Sequence, residues 1–163
     1  MSARDLKSTN SFLLSDFKYL MAYSIPLTAL IGFYLGGYWL FTTPFYIFVI
    51  IPIVEFLLTR YGIDELETHR AEKGIHWLFD LMLYLNILIV FGLLIYSLTK
   101  IVSFEFMSIE FLGSLLSLGL VLASNGINVA HELCHRTNSP ERILGKFLLI
   151  PSLYMHFYLE HNY

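Results

Sequence analysis

From Tyr19 to Thr59 the chain carries a single charged residue, Glu55. As one helix these 41 residues would reach roughly 60 Å at ~1.5 Å per residue, about twice the ~30 Å hydrocarbon core of a bilayer. A segment of that length and polarity folds back on itself. The breakers available for the turn are Gly36-Gly37 and Thr42-Thr43-Pro44. A helical hairpin in a membrane is therefore the first expectation. The composition agrees: only 14% of residues are charged and 56% are hydrophobic, whereas a soluble domain carries about 25% charged residues.

Two further apolar runs follow. Trp77 to Thr99 contains only Asp80, near its start, and Phe111 to Ala130 contains no charge. Between them lie a charged segment, Arg60 to Lys73, and a short mixed one, Lys100 to Glu110. The expected fold is all-α: a polytopic membrane helix bundle in one domain, with spans near 19–36, 43–59, 77–99 and 111–130. The basic residues fall on alternate connections. Arg4, Lys7, Lys18, Arg60, Arg70, Lys73, Arg136 and Arg142 share one side, and Lys100 is alone on the other. The bias of Lys and Arg toward the cytoplasm puts the N-terminus and the end of the fourth span on that side. The first 18 residues are polar and lack the plan of a cleavable signal peptide. One cysteine, Cys134, excludes an intrachain disulfide. A net charge of -3 with no basic run gives no sign of nucleic-acid binding.

Ile143 to Tyr158 is apolar apart from Lys146 and His156, and Pro151 interrupts it. At ~16 residues it is marginal for a span and suits an interfacial or re-entrant helical segment. The choice matters because a full crossing would carry His161 to the side opposite His131.

The chemistry concentrates at the end of the fourth span, in Asn128-Val129-Ala130-His131-Glu132-Leu133-Cys134-His135-Arg136. Residues four apart share a helix face, so His131 and His135 can aim at one point. Neutral imidazole is the commonest protein ligand of transition metals. A third candidate is His161, in Glu160-His161-Asn162-Tyr163. His156 lies five residues earlier and, on a regular helix, faces elsewhere, toward Glu160. His161 is therefore the expected ligand, with His156 and Glu160 in supporting places. Asn125, Asn128, Glu132 and His135 form one polar stripe, and Asn128 is placed to fix a ring tautomer of His131. Glu132, beside the first histidine, also permits a zinc protease of the His-Glu-x-x-His kind. A metal-free membrane scaffold is a further alternative. Cys134 points off the histidine face and reads as packing. Glu55 and Asp80 read as helix-to-helix or water-reaching carboxylates, and His69 and His76 as solvated surface.

The block from Asn128 to Arg136, followed by His156-Phe157-Tyr158-Leu159-Glu160-His161-Asn162, resembles the integral-membrane alkane hydroxylase (alkane 1-monooxygenase) family, which belongs with membrane fatty-acid desaturases and xylene monooxygenase. The family's first box is His-Glu-Leu-Gly-His-Lys; its second begins Glu-His-Asn and runs on to a His-His pair. Pro52-Ile53-Val54-Glu55 is similar to the family's Pro-Val-Leu-Asp segment. Cys134 stands for the usual Gly and Arg136 for the usual Lys. The chain stops short of the His-His pair, as the N-terminal part of a longer enzyme would, and is expected to be inactive alone.

The resemblance implies a two-iron non-haem centre with His131, His135 and His161 among its ligands and no catalytic residue beyond them. It implies insertion of one oxygen atom of dioxygen into the terminal C–H of an alkane or alkyl chain. Electrons would come from rubredoxin or a ferredoxin-type donor with its NAD(P)H reductase, at the cytoplasmic face of a bacterial inner membrane. A lipid desaturase or other lipid hydroxylase is the alternative with the same boxes.

Overall fold

The structure is a computed structural model that describes residues 20–60 and 76–162; the side chains of His76, Trp77, His161 and Asn162 lie outside the described set. It is the all-α bundle read from the sequence. The elements are α1 (Met21–Leu35), α2 (Gly37–Arg60), α3 (His76–Ile101), α4 (Ile109–Cys134), α5 (Ser139–Leu149) and α6 (Phe157–Asn162). Three of them, α2, the Leu78–Ile101 part of α3, and α4, have 24, 24 and 26 residues and are long and apolar enough to cross a membrane. The first expected span is observed as a shorter apolar helix, α1.

Of the two breakers considered, the glycines make the hairpin turn. Gly36 and Gly37 both take positive φ, 71° and 57°, a region that costs residues with a Cβ much more. The second helix therefore starts at Gly37, six residues ahead of the expected position 43, and Thr42-Thr43-Pro44 lies inside it. It opens as a 3-10 turn and widens to a π-helical stretch at Tyr46–Ile50. Pro52 lies two residues beyond it. A proline inside a helix has no N–H and crowds the carbonyl four residues earlier, which is Phe48, within the widened stretch.

The surface is unlike a soluble protein's, and polar side chains share the apolar core. Thr43, Asn86, Ser97, Ser114, Ser117 and Asn125 are buried, while Phe48, Phe56, Leu88 and Ile95 are exposed. Lipid solvates leucine as well as another helix does, so helix contacts in membranes rely on small residues and hydrogen bonds. The hydroxyl of Ser117 donates to the Leu40 carbonyl, Tyr23 donates to the Met82 carbonyl at 2.6 Å, and Thr42 donates to the Thr28 carbonyl at 3.1 Å. These bonds tie α1, α2, α3 and α4 into one bundle. α4 is capped at its start by the Ser108 hydroxyl, which accepts from the Phe111 N–H at 3.1 Å, with Glu110 in the favourable first turn.

The Ile143–Tyr158 segment is not one continuous helix. Pro140 and Glu141 start α5, which ends at Leu149, and α5 packs back along the end of α4. Gly145 makes that approach possible. A Cβ there would lie 2.9 Å from the Ala130 carbonyl oxygen and 2.9 Å from the Cys134 sulfur. The chain then turns and α6 returns toward the end of α4.

Candidate metal-binding site

The last seven residues of α4, Asn128–Cys134, follow a π-helical stretch at Leu122–Ile127. Such stretches re-aim the residues beyond them. One turn apart, His131 and His135 bring their Nε2 atoms to 2.8 Å, with ring centroids 4.7 Å apart and planes inclined by 48°. The Nε2 spacing is that of a hydrogen bond between the two rings, and it is also close to the separation that two imidazole nitrogens held by one transition ion would have. Ligation through Nε2 gives the Nδ1 of each ring to an outer partner, the usual way a ligating histidine is oriented.

His131 is half-buried and His135, at the helix cap, is exposed. The Phe157 ring meets His131 edge-on at 5.5 Å, and Tyr154 stacks behind Phe157 at 5.5 Å. These contacts bring the start of α6 to the same end of the bundle as the histidines. His161 is one helical turn after Phe157 in α6; its side chain lies outside the described residues. Among the described residues no group of three His, Cys, Asp or Glu gathers around a metal position, so the described donor set is the imidazole pair.

Arg136, just past the second histidine, fastens this end. Its guanidinium pairs with Asp80 of α3 at 2.9 Å and with Glu132 at 3.4 Å, and lies 5.8 Å from the centre of the Phe79 ring. Asp80 is thus a helix-to-helix carboxylate. The Tyr84 hydroxyl adds a second tie, donating to Glu141 of α5 at 2.5 Å. Cys134 is buried against α5. His156 is exposed and packs edge-on against Tyr154 at 4.6 Å. Glu160 is exposed, and its link to His156 among the described contacts is between backbones, N–H to carbonyl at 3.0 Å. Glu55 is exposed on α2, where it lines a groove with Met21 and Tyr46. His69 lies outside the described residues.

The polar stripe of α4 divides. Asn125, Asn128 and Glu132 line a cleft of about 420 Å³ between α1, α3 and α4, and neither histidine lines it. Among the described contacts Asn128 makes no hydrogen bond to His131. The inner wall of the cleft is a buried amide pair: Asn125 donates to the Asn86 side-chain oxygen at 2.9 Å and to the Ala22 carbonyl at 2.9 Å, and Asn86 donates to the Asn125 carbonyl at 2.8 Å. Asn86, Tyr84 and Phe157 are the site neighbours that sequence reasoning missed. The signal for Asn86 was an amide in the middle of an otherwise apolar span.

No family model matches the chain. Against curated proteins, it is 30% identical over 128 residues to alkane 1-monooxygenase 1 of Pseudomonas aeruginosa, an alignment covering 77% of this chain. It has a partial relationship to the alkane hydroxylases. Alkane 1-monooxygenase 1 of Alcanivorax borkumensis is 28% identical over 144 residues, 84% of this chain. The chain spans about a third of the length of these curated relatives, 33% and 35% respectively.

Proposed function

We propose that this chain supplies part of the iron site of a membrane non-haem diiron monooxygenase that inserts one atom of dioxygen into a terminal C–H bond of an alkane or alkyl chain. The observation that carries this reading is the convergence of the His131 and His135 Nε2 atoms, 2.8 Å apart, at the end of a membrane-length helix. The names of the relatives supply the substrate class. His131, His135 and His161 would hold iron, which when bound supplies the activation of dioxygen.

The protein's own contribution is placement and shielding. Phe157, with Tyr154 stacked behind it, covers one side of His131. Arg136 holds the helix end on which His135 sits. The exposed apolar faces of the spans admit a substrate that partitions into hydrocarbon. Arg136, Arg142 and Lys146 lie at the histidine end and Lys100 at the other, which supports a cytoplasmic histidine end. Rubredoxin or a ferredoxin-type donor with its NAD(P)H reductase would deliver electrons there.

Against a zinc protease stands Glu132. Its carboxylate pairs with Arg136 and lines a cleft that the histidines do not, whereas a protease base must reach a water on the metal. Metal analysis of the purified protein tests the reading: iron that disappears in His131→Ala supports it, and iron content unchanged by that substitution removes His131 from the ligand set. Alcohol products rather than olefins separate hydroxylation from desaturation. Three imidazoles do not fill two irons, so these 163 residues alone should oxidise no alkane; alcohol formation by the isolated chain would overturn that expectation.

A further inference from the structure

We propose that α5 and α6 form a re-entrant hairpin whose tip, Phe147 to Leu153, sits among lipid acyl chains rather than on the membrane surface. Depth is the first argument. α5 runs antiparallel to α4: Gly145 abuts Ala130 and Cys134, and the Leu148 carbonyl faces Gly126. Gly126 is about six residues before Glu132, roughly 9 Å further along the helix axis toward the bilayer centre. Leu148 and Leu149 are fully buried in one cluster with Val90, deep in α3. A helix lying in the plane of the interface would not share a core with that part of a span.

The backbone of the tip is the second argument. In hydrocarbon every N–H and C=O needs a partner within the protein, and most of the tip's N–H groups are bonded within the turn or within α5. The Ile150 N–H donates to the Phe147 carbonyl at 3.2 Å, Leu153 to Ile150 at 2.9 Å and Tyr154 to Leu149 at 3.1 Å. The Ser152 hydroxyl donates to the Leu149 carbonyl at 3.0 Å.

The third argument is the surface. Ile143, Phe147 and Ile150 form one exposed stripe, and Leu153 at the apex is 86% exposed. Leu153 has φ of 54°, a left-handed conformation in which a glycine would be relaxed, yet the position carries a large apolar side chain. No Asp, Glu, Lys or Arg occurs from Phe147 to Leu159. The nearest cation, Lys146, has its ammonium 3.9 Å from the centre of the Tyr158 ring, which lowers the cost of a charge near the membrane edge.

The test is a single-tryptophan reporter. Trp39 and Trp77 are changed to Phe, and Leu153→Trp or Phe147→Trp is introduced, with Thr137→Trp in the α4–α5 connection as reference. In phosphatidylcholine vesicles with brominated acyl chains, the tip reporters should be quenched several-fold more than the reference and protected from acrylamide. Two positions guard against one variant failing to fold. Acrylamide quenching of both tip reporters equal to that at Thr137 would place the hairpin on the surface and overturn the proposal. The measurement needs no metal, so its outcome is separate from that of the iron reading.

Discussion

The last turns of α2 and of α4 are both helical and both end near basic residues, yet they are built on different terms. From Pro52 to Arg60 every residue of α2 is exposed, and its polar tie to α1 is made near its start, through Thr42. In α4, Ala130, Leu133 and Cys134 are buried, α5 is pressed against them, and Arg136 reaches across to α3. Apolar length is enough to place a helix in lipid. It does not fix rotation about the helix axis, because lipid accepts any apolar face. A site that needs two ring nitrogens on one point needs that rotation fixed, and α4 gets it from packing and charge that are not found at the end of α2 among the described residues.

The comparison breaks most visibly at the histidines. His135→Ala should abolish iron retention, read as metal per protein after gel filtration, while Phe56→Ala on the exposed face of α2 should leave it unchanged. Equal retention by both variants would mean that the dense region has no metal role.

A smaller fall in metal affinity is the expected effect of Arg136→Gln or Asp80→Asn, at or below the tenfold end of the range typical of groups bonded directly to a ligand, because this pair holds helices together rather than an imidazole. Titration with cobalt(II), followed by its visible spectrum, measures this directly. Exchanging the charges, Asp80→Arg with Arg136→Asp, should recover part of the loss if the pair works by holding α3 and α4 together. Recovery of none would assign the effect to Arg136 alone, through Glu132.

The fold was legible because its signals are long. Uncharged runs and the glycine pair between them each constrain tens of residues at once. The pairing of His131 with His135 was legible for a similar reason, since a four-residue spacing on a helix leaves little freedom. What the sequence hid were choices made by tertiary contact. Gly36-Gly37 and Thr42-Thr43-Pro44 both carry turn chemistry; the first wins because two adjacent positive φ angles need glycine, and the second is absorbed by a 3-10 start and a widened stretch. The polar stripe of α4 looked continuous by spacing, but Asn125 and Asn128 face the cleft. Asp80 reads as an isolated acid until α4 ends beside it. The length of Ile143 to Tyr158 suited either an interfacial or a re-entrant segment, and only Gly145 against Ala130 shows its direction.

The smaller effects sharpen the contrast within the dense region itself. Gly145→Val puts side-chain carbons where the Ala130 carbonyl and the Cys134 sulfur already lie, and overpacking of this kind costs about 1–3 kcal/mol. At Gly92 in α3 an added Cβ would meet nothing within 4 Å, so Gly92→Ala should be neutral or stabilise by up to ~1 kcal/mol through helix propensity. Thermal unfolding in detergent should separate the two by several degrees in Tm. The buried amide pair should matter least. Asn86→Leu removes its bonds to Asn125, and hydrogen bonds between membrane helices average only about 0.6 kcal/mol because the unfolded helices also find partners. A loss near that value, with metal affinity unchanged, would show that the cleft and the histidine site are separable, as their linings imply. A fall in metal affinity comparable to that of Arg136→Gln would instead show that Asn125, through the π-helical stretch it occupies, sets the rotation of the imidazoles.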